Sequence, residues 1–220
     1  MKNKPNSFIE HTNLRTDLME KDIDTLIEQA KMHSFFGVCV PPFWVKKTKR
    51  DLSGCDIKVV TVIGFPLGYQ QTNIKLAEIE TAIEDGADEL DVVMNVSAFK
   101  SGMSWVKIEL AKCVGFAHQH NKILKVIVET ALLNEEELIA ISKIVSDAGA
   151  DFIKTSTGFS TRGATVRDVE LMKANIAESV GIKASGGIRS LADLNALVGA
   201  GAERIGASSG VDIMKEYSGE

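Results

Sequence analysis

The sequence predicts a single-domain (β/α)8 barrel, the TIM-barrel fold, over residues 1–220. The length of 220 residues lies within the range of one barrel domain. Short runs rich in β-branched residues alternate with longer amphipathic stretches, and no low-complexity or Pro/Ser-rich linker divides the chain. A doubly wound open sheet is the competing architecture, because periodicity alone does not separate it from a closed barrel.

Eight short apolar runs are predicted as strands: Phe8–Thr12, Gly37–Val40, Ile57–Ile63, Glu89–Met94, Ile123–Glu129, Phe152–Ser156, Ile182–Ser185 and Arg204–Ala207. Apolar residues at helical spacing predict helices that cover the barrel: Glu20–Ser34, Thr72–Asp85, Glu135–Ala148 and Thr165–Ala177. Gly86 and Gly149 are predicted to end two helices, and Asn134 to begin one, because these residue types favour those positions.

Composition limits the partners and the compartment. A net charge of −5 argues against nucleic acid or an anionic membrane as the main partner. Cys39, Cys55 and Cys113 lie far apart without a C-x-x-C pair, which indicates reduced thiols. The first residues contain no apolar stretch of signal-peptide length, and no run reaches about 18 apolar residues. We therefore expect a cytoplasmic protein.

Two lysines and one aspartate interrupt apolar strands. Lys154 lies within the sixth predicted strand and Lys183 within the seventh, where burial makes an unpaired ammonium costly. Adjacent strands lie about 4.8 Å apart, so the two amines are expected to approach each other. Burial and a neighbouring like charge lower an amine pKa, as a Schiff-base lysine requires. Asp91 in the fourth strand is the expected partner and proton carrier.

A second interior ion pair is predicted in the fifth strand. Lys125 and Glu129 are four residues apart, so strict alternation places both side chains on one face. A structural role and a role in supporting catalysis are equally compatible with this spacing.

The loops after the last two strands predict an anion site. Barrels often bind phosphate with these loops, where glycines permit close approach and helix N-termini present free N–H groups. The alternative reading is a pair of tight turns without a ligand. The residues expected to bind phosphate are Gly158, Gly186, Gly187, Gly206, Ser208 and Ser209.

The sequence predicts no metal and no cofactor. His118 and His120 are two residues apart on a predicted helix, so they point about 200° apart and cannot share a metal. His11 and His33 have no partners at ligand spacing. The chain also contains no G-x-S-x-G elbow and no P-loop.

Six segments carry a resemblance to a known family: residues 10–14, 38–41, 61–68, 91–95, 154–159 and 183–189. Through them nearly the whole chain resembles the deoxyribose-phosphate aldolase family. The resemblance implies a (β/α)8 class I aldolase that cleaves 2-deoxyribose 5-phosphate to glyceraldehyde 3-phosphate and acetaldehyde, or runs in reverse. By this resemblance Lys154 forms the Schiff base, Lys183 lowers its pKa and helps to move protons, and Asp91 transfers protons. Glu10, Thr12 and Thr155 are expected to support them.

Three positions depart from the family pattern. Glu10 stands where the family usually has Asp, and Arg162 stands where related sequences often have Gly. We expect Arg162 to face solvent; the alternative is that it adds charge near the phosphate. Some members end in a tail whose terminal Tyr assists proton transfer, but Tyr217 is not terminal, so it is not assigned that role.

Two other functions compete with this interpretation. One is a Schiff-base aldolase for another phosphorylated sugar, and the other is a catalytically silent sugar-phosphate sensor. A sensor has no reason to keep both Lys154 and Lys183 together with Asp91, so the sequence favours an enzyme. Its expected partners are small phosphorylated sugars and aldehydes, with a second copy of the chain as a further candidate.

Overall fold

Eight parallel strands close into a barrel in a computed structural model, which describes residues 4–219. Each strand pairs with the next along the chain, and β8 pairs with β1, so the barrel has no open edge. This closure confirms the TIM-barrel prediction and excludes the open sheet. The predicted limits of the domain, residues 1–3 and 220, lie outside the described residues. The strands are β1 Ile9–Thr12, β2 Gly37–Val40, β3 Lys58–Ile63, β4 Glu89–Val93, β5 Ile123–Ile127, β6 Phe152–Lys154, β7 Gly181–Ser185 and β8 Arg204–Ala207.

The helices form the outer ring. Within residues 4–219 there are nine α-helices, because the connection after β4 carries two of them. No helix in this range is long and apolar enough to cross a membrane. The helices are α1 Glu20–His33, α2 Val45–Asp51, α3 Thr72–Glu84, α4 Val96–Lys100, α5 Trp105–Gln119, α6 Glu135–Asp147, α7 Val166–Asn175, α8 Leu191–Ala200 and α9 Gly210–Ser218.

The helix-end predictions are confirmed. Gly86 and Gly149 follow α3 and α6 with φ of 100° and 78°, a conformation that glycine adopts without steric cost. The Asn134 side chain accepts a hydrogen bond of 2.8 Å from the Glu137 amide and begins α6.

Two strands end two residues earlier than predicted, and the other six agree with the prediction to within one residue at each end. β5 ends at Ile127, and Glu129 then adopts a left-handed conformation with φ of 55°. β6 ends at Lys154, so residues 155 and 156 belong to the loop that follows. Both changes lie at the carboxyl ends of the strands, where barrel active sites form.

The apolar core lies mainly between the barrel wall and the surrounding helices, as in other parallel barrels. A smaller apolar cluster of Cys39, Val60 and Val62 is separate from it, and Leu14 and Phe65 pack against this cluster. Several charged residues are buried as well, and five of them form the site described below.

Candidate active site

Five charged side chains from five different strands meet inside the barrel. The strand register explains their proximity, because Asp91 is aligned with Lys125 and Lys154 is aligned with Lys183 on neighbouring strands. Glu10 joins them from β1. Each of the five residues is at most 3% exposed. Buried charges are stable only when they are paired, and each member here has a partner of opposite charge.

Asp91 is the centre of this cluster. Its Oδ2 accepts hydrogen bonds from Lys154 Nζ at 2.7 Å and from Lys183 Nζ at 2.6 Å. Its Oδ1 accepts a third from Lys125 Nζ at 3.0 Å. Glu10 also pairs with the ammonium of Lys183. The longer side chain at position 10 therefore still reaches the cluster.

The predicted Lys125–Glu129 ion pair is wrong. Lys125 Nζ instead lies 2.5 Å from Glu89 Oε2, 3.0 Å from Asp91 Oδ1 and 3.4 Å from Glu10 Oε1. Strict alternation fails because β5 ends before Glu129, whose left-handed backbone turns the side chain away from Lys125.

Glu129 contacts the loop after β6. Its Oε2 accepts hydrogen bonds from both the hydroxyl and the amide of Thr157, the latter at 3.2 Å. Thr157 lies three residues after Lys154, and both residues line a cavity at the carboxyl end of the barrel. Glu129 therefore supports the wall of the cavity and not the charged cluster.

Glu89, which adjoins this cluster through Lys125, is a buried charged residue that the sequence reasoning missed. It is 2% exposed and pairs with Lys125. The signal was present, because Glu89 lies two residues before Asp91 and strand alternation places both on one face.

The two central lysines differ in their pKa. Burial lowers the pKa of Lys154; the carboxylate of Asp91 opposes this effect, and the positive charge of Lys183 adds to it. Burial also acts to lower the pKa of Lys183, but Asp91 and Glu10 outweigh it and raise that pKa. Lys154 is therefore the amine that loses its proton more readily, while Lys183 remains an ammonium.

Asp91 remains ionised between these cations. Burial alone would raise its pKa, but Lys125, Lys154 and Lys183 together hold the pKa of the carboxyl well below its usual range. An ionised carboxylate between two amines can accept a proton from one and return it to the other.

A cavity of about 920 Å³ opens onto Lys154 at the carboxyl end of the barrel. Five of the six residues predicted to bind phosphate line it, whereas Ser209 does not and instead begins α9. Gly206 also leaves room for Lys183, because a Cβ at this position would lie 3.2 Å from Lys183 Cε. The five lining residues are Gly158, Gly186, Gly187, Gly206 and Ser208.

The two threonines predicted as supporting residues lie on different sides of the site. Thr12 lines the cavity, and its hydroxyl donates to the Glu10 carbonyl at 2.8 Å. Thr155 is buried and joins β6 to β7, because its hydroxyl donates to the Ser185 carbonyl and accepts from the Ser185 amide.

Arg162 is exposed, as expected from the sequence, and it does not line the cavity, so the alternative that it adds charge near the phosphate is not supported. Its guanidinium pairs with Asp168 at 2.5 Å, although its side chain is 40% exposed. No local pattern predicts this contact, because it depends on the path of the loop after β6. Tyr217 lies on α9, is half-exposed and does not line the cavity.

The histidines contact other groups. His11 Nε2 lies 2.8 Å from Gln29 Oε1, and His118 Nε2 lies 2.9 Å from Asp151 Oδ2. Among residues 4–219, no group of three His, Cys, Asp or Glu side chains is arranged to hold a metal ion.

A buried amine with a lowered pKa attacks carbonyl carbon and forms an imine. An ammonium and a carboxylate within hydrogen-bonding distance can move the protons that this reaction requires. The fold and the site together define the class of lysine-dependent barrel aldolases.

Comparison with known proteins specifies the family. A sequence profile described as DeoC/LacD family aldolase matches residues 6–216. The chain is 49% identical over 213 residues to deoxyribose-phosphate aldolase of Streptococcus gordonii and 47% identical to that of Streptococcus pneumoniae, covering 96% of each protein. The tetrameric deoxyribose phosphate aldolase from Aeropyrum pernix superposes with a TM-score of 0.90 at 34% identity, covering 97% of this chain and 91% of that one. The chain belongs to the DeoC/LacD aldolase family.

Proposed function

We propose that the protein cleaves 2-deoxy-D-ribose 5-phosphate reversibly to D-glyceraldehyde 3-phosphate and acetaldehyde through a Schiff base on Lys154. The observation that carries the proposal is the hydrogen-bonding of Lys154 and Lys183 to one oxygen of Asp91, with Lys154 lining a cavity that has a glycine-rich wall. The names of relatives that are 47–49% identical support the substrate.

Lys154 begins the reaction as a neutral amine. Its Nζ attacks C1 of the open-chain sugar, and loss of water from the carbinolamine leaves an iminium that withdraws electrons from C2. Lys183, now a neutral amine after donating its proton to the departing water, takes the C3 hydroxyl proton; the C2–C3 bond then breaks, and the same proton is available for C2. This step releases glyceraldehyde 3-phosphate and leaves the two-carbon fragment on Lys154 as an enamine. Protonation at C2 and attack of water at C1 release acetaldehyde and regenerate the amine.

Asp91 and Lys183 supply the proton transfers in this scheme. Lys183 keeps its proton because Asp91 and Glu10 raise its pKa, so it can donate to the carbinolamine hydroxyl. Asp91 lies within 2.7 Å of both amines and can carry a proton between them. Lys125 and Glu10 hold this carboxylate and this ammonium in place.

The phosphate is assigned to the glycine-rich wall of the cavity. Gly158, Gly186 and Gly187 expose backbone there with φ of 88°, 83° and 75°, conformations that glycine favours. Ser208 adds a hydroxyl, and Ser209 stands at the N-terminus of α9, whose dipole favours an anion nearby.

Borohydride trapping tests the proposal. Reduction in the presence of acetaldehyde should inactivate the protein and add a two-carbon group to the peptide that contains Lys154, because only an iminium is reducible there. Modification of Lys183 would reverse the assignment of the two lysines. A sugar-phosphate sensor would give no adduct, and an aldolase for another sugar would fail to cleave 2-deoxyribose 5-phosphate.

We also propose that the chain self-associates and that the protein is cytoplasmic. The A. pernix relative is described as tetrameric, which supports self-association of this chain as well. Cys39 and Cys113 are buried free thiols, which suits the reducing conditions of the cytoplasm. Gel filtration with light scattering tests the first property, and fractionation of the source cells tests the second.

A further inference from the structure

The loop between β6 and α7, residues 155–165, is tied at both ends to one short segment after β5. Near its start, Thr157 donates two hydrogen bonds to Glu129. Near its end, Arg162 Nη2 donates to the carbonyl of Thr130 at 2.9 Å. Glu129 and Thr130 are consecutive residues, so a single turn of backbone fixes both ends of this loop.

Arg162 also forms a two-point ion pair with Asp168 of α7. Its two terminal nitrogens lie 2.5 Å and 3.2 Å from the two carboxylate oxygens of Asp168. The same carboxylate accepts a hydrogen bond of 3.0 Å from the hydroxyl of Thr130, and both Asp168 and Thr130 are buried. A planar guanidinium fits a carboxylate in this two-point manner, and a lysine ammonium does not.

The residues after Arg162 transmit this constraint to the cavity. A Cβ at Gly163 would lie 1.9 Å from the carbonyl oxygen of Gly186, so the two backbones are in direct contact. The next amide, that of Ala164, donates to the carbonyls of Ser185 and Gly186 at 3.1 Å and 3.2 Å. Any shift of residues 162–164 therefore moves Gly186, which lines the cavity beside Gly187.

We propose that Arg162 is a positioning residue for the anion cradle, defined as the backbone of Gly158, Gly186 and Gly187. Arg162 touches neither this cavity nor the lysines. It holds the loop that supports the cradle, and so sets the affinity for the phosphoryl group without taking part in bond cleavage. The inference rests on the proposed function in one respect, that the phosphate of the substrate occupies the cradle.

Arg162→Ala and a matched control separate this role from a general effect on the fold. The control is Arg167→Ala, because Arg167 forms an equally two-pronged ion pair with Glu135, at 2.8 Å and 2.9 Å, on the outer surface of α6 and α7. Arg162→Ala should raise KM for 2-deoxyribose 5-phosphate about tenfold, since small misplacements of binding groups cost this much or more. Its kcat, and its KM for unphosphorylated deoxyribose, should stay near the wild-type values, and Arg167→Ala should change none of these.

Calorimetric titration with inorganic phosphate provides a readout that does not depend on catalysis. Wild type and Arg167→Ala should bind phosphate equally, whereas Arg162→Ala should bind about tenfold more weakly, a difference of about 1.4 kcal/mol. The phosphate affinity of Arg162→Lys should fall between those of wild type and Arg162→Ala, because lysine retains the charge but cannot make the two-point contact with Asp168. Arg162→Lys replaces Arg162→Ala in this test if the alanine variant does not fold.

Several results would overturn the inference. These are equal phosphate affinity in wild type and Arg162→Ala, equal losses in Arg162→Ala and Arg167→Ala, equal KM changes for the two sugars, or no phosphate binding by the wild type. Phosphate binding that depends on Arg162 in a protein unable to cleave deoxyribose 5-phosphate would refute the proposed function alone.

Discussion

Lys154 and Lys183 donate to the same carboxylate oxygen, Asp91 Oδ2, at 2.7 Å and 2.6 Å. One oxygen therefore lies between two lysine nitrogens whose residues are aligned on neighbouring strands. The two amines are not equivalent, because Lys183 also pairs with Glu10, whereas Lys154 has no second carboxylate within 4.0 Å among the described residues. This asymmetry explains why burial lowers the pKa of Lys154 while the pKa of Lys183 is raised.

Lys183→Leu should make Lys154 harder to deprotonate. Removal of the neighbouring positive charge raises the pKa of Lys154, because that charge acts to lower it in the wild type. A base with a higher pKa is more protonated at pH 7, and each unit of increase lowers the neutral fraction about tenfold. Imine formation should therefore fall at neutral pH and recover in part as the pH rises. The measurement is the amount of borohydride-trapped imine as a function of pH.

Recovery at high pH should remain incomplete, because Lys183 is also a proton donor in the proposed reaction. Replacement of the exposed Lys173 by Leu is the matched control and should leave the pH profile unchanged. If the profiles of wild type and Lys183→Leu superimpose, Lys183 does not tune the pKa of Lys154.

The sequence predicts the barrel and the lysine pair because both follow from regular periods. Alternation within strands and adjacency of consecutive strands place Lys154 beside Lys183 without any knowledge of loops. The contacts that the sequence does not predict lie beyond the ends of the strands, where the regular alternation of side chains stops. Glu129 turns away from Lys125 because the backbone is left-handed two residues after β5, and Arg162 pairs with Asp168 across a loop whose path no local pattern encodes.

Activity should survive chelation. Among residues 4–219 no set of side chains is arranged to hold a metal ion, and Lys154 is placed to supply electron withdrawal through an iminium. Cleavage of 2-deoxyribose 5-phosphate should therefore proceed at the same rate before and after dialysis against EDTA. A loss of rate that added zinc restores would refute the metal-free mechanism.

Ser208→Glu should weaken binding of the phosphorylated substrate selectively. Ser208 lines the cavity near Gly186 and Gly187, so a carboxylate there would lie close to the phosphate and repel it. We expect KM for 2-deoxyribose 5-phosphate to rise about tenfold or more, given that unit charges near a protein surface interact by a few kcal/mol. KM for free deoxyribose should change little.

The control for this experiment is Ser208→Gln, which adds similar bulk without the charge. Equal changes in KM for both sugars in Ser208→Glu would place the phosphate elsewhere in the cavity. Equal effects of Glu and Gln would show that size, and not charge, is responsible.

A buried ion pair outside the active site should dominate the stability of the barrel wall near β4. Lys75 of α3 lies 2.7 Å from Glu109 of α5, and the side chains are 0% and 1% exposed. Lys75→Met would leave the Glu109 carboxylate buried without a cation, which costs about 3–5 kcal/mol of unfolding free energy. Adding Glu109→Leu should restore much of that loss, because two apolar side chains can replace a buried pair.

Denaturant unfolding measures the change in unfolding free energy of both variants. Lys107→Met is the control, because its partner Asp147 is 58% exposed, and its loss of unfolding free energy should stay below about 1 kcal/mol. Equal losses in Lys75→Met and Lys107→Met would show that the buried pair contributes no more than a surface one.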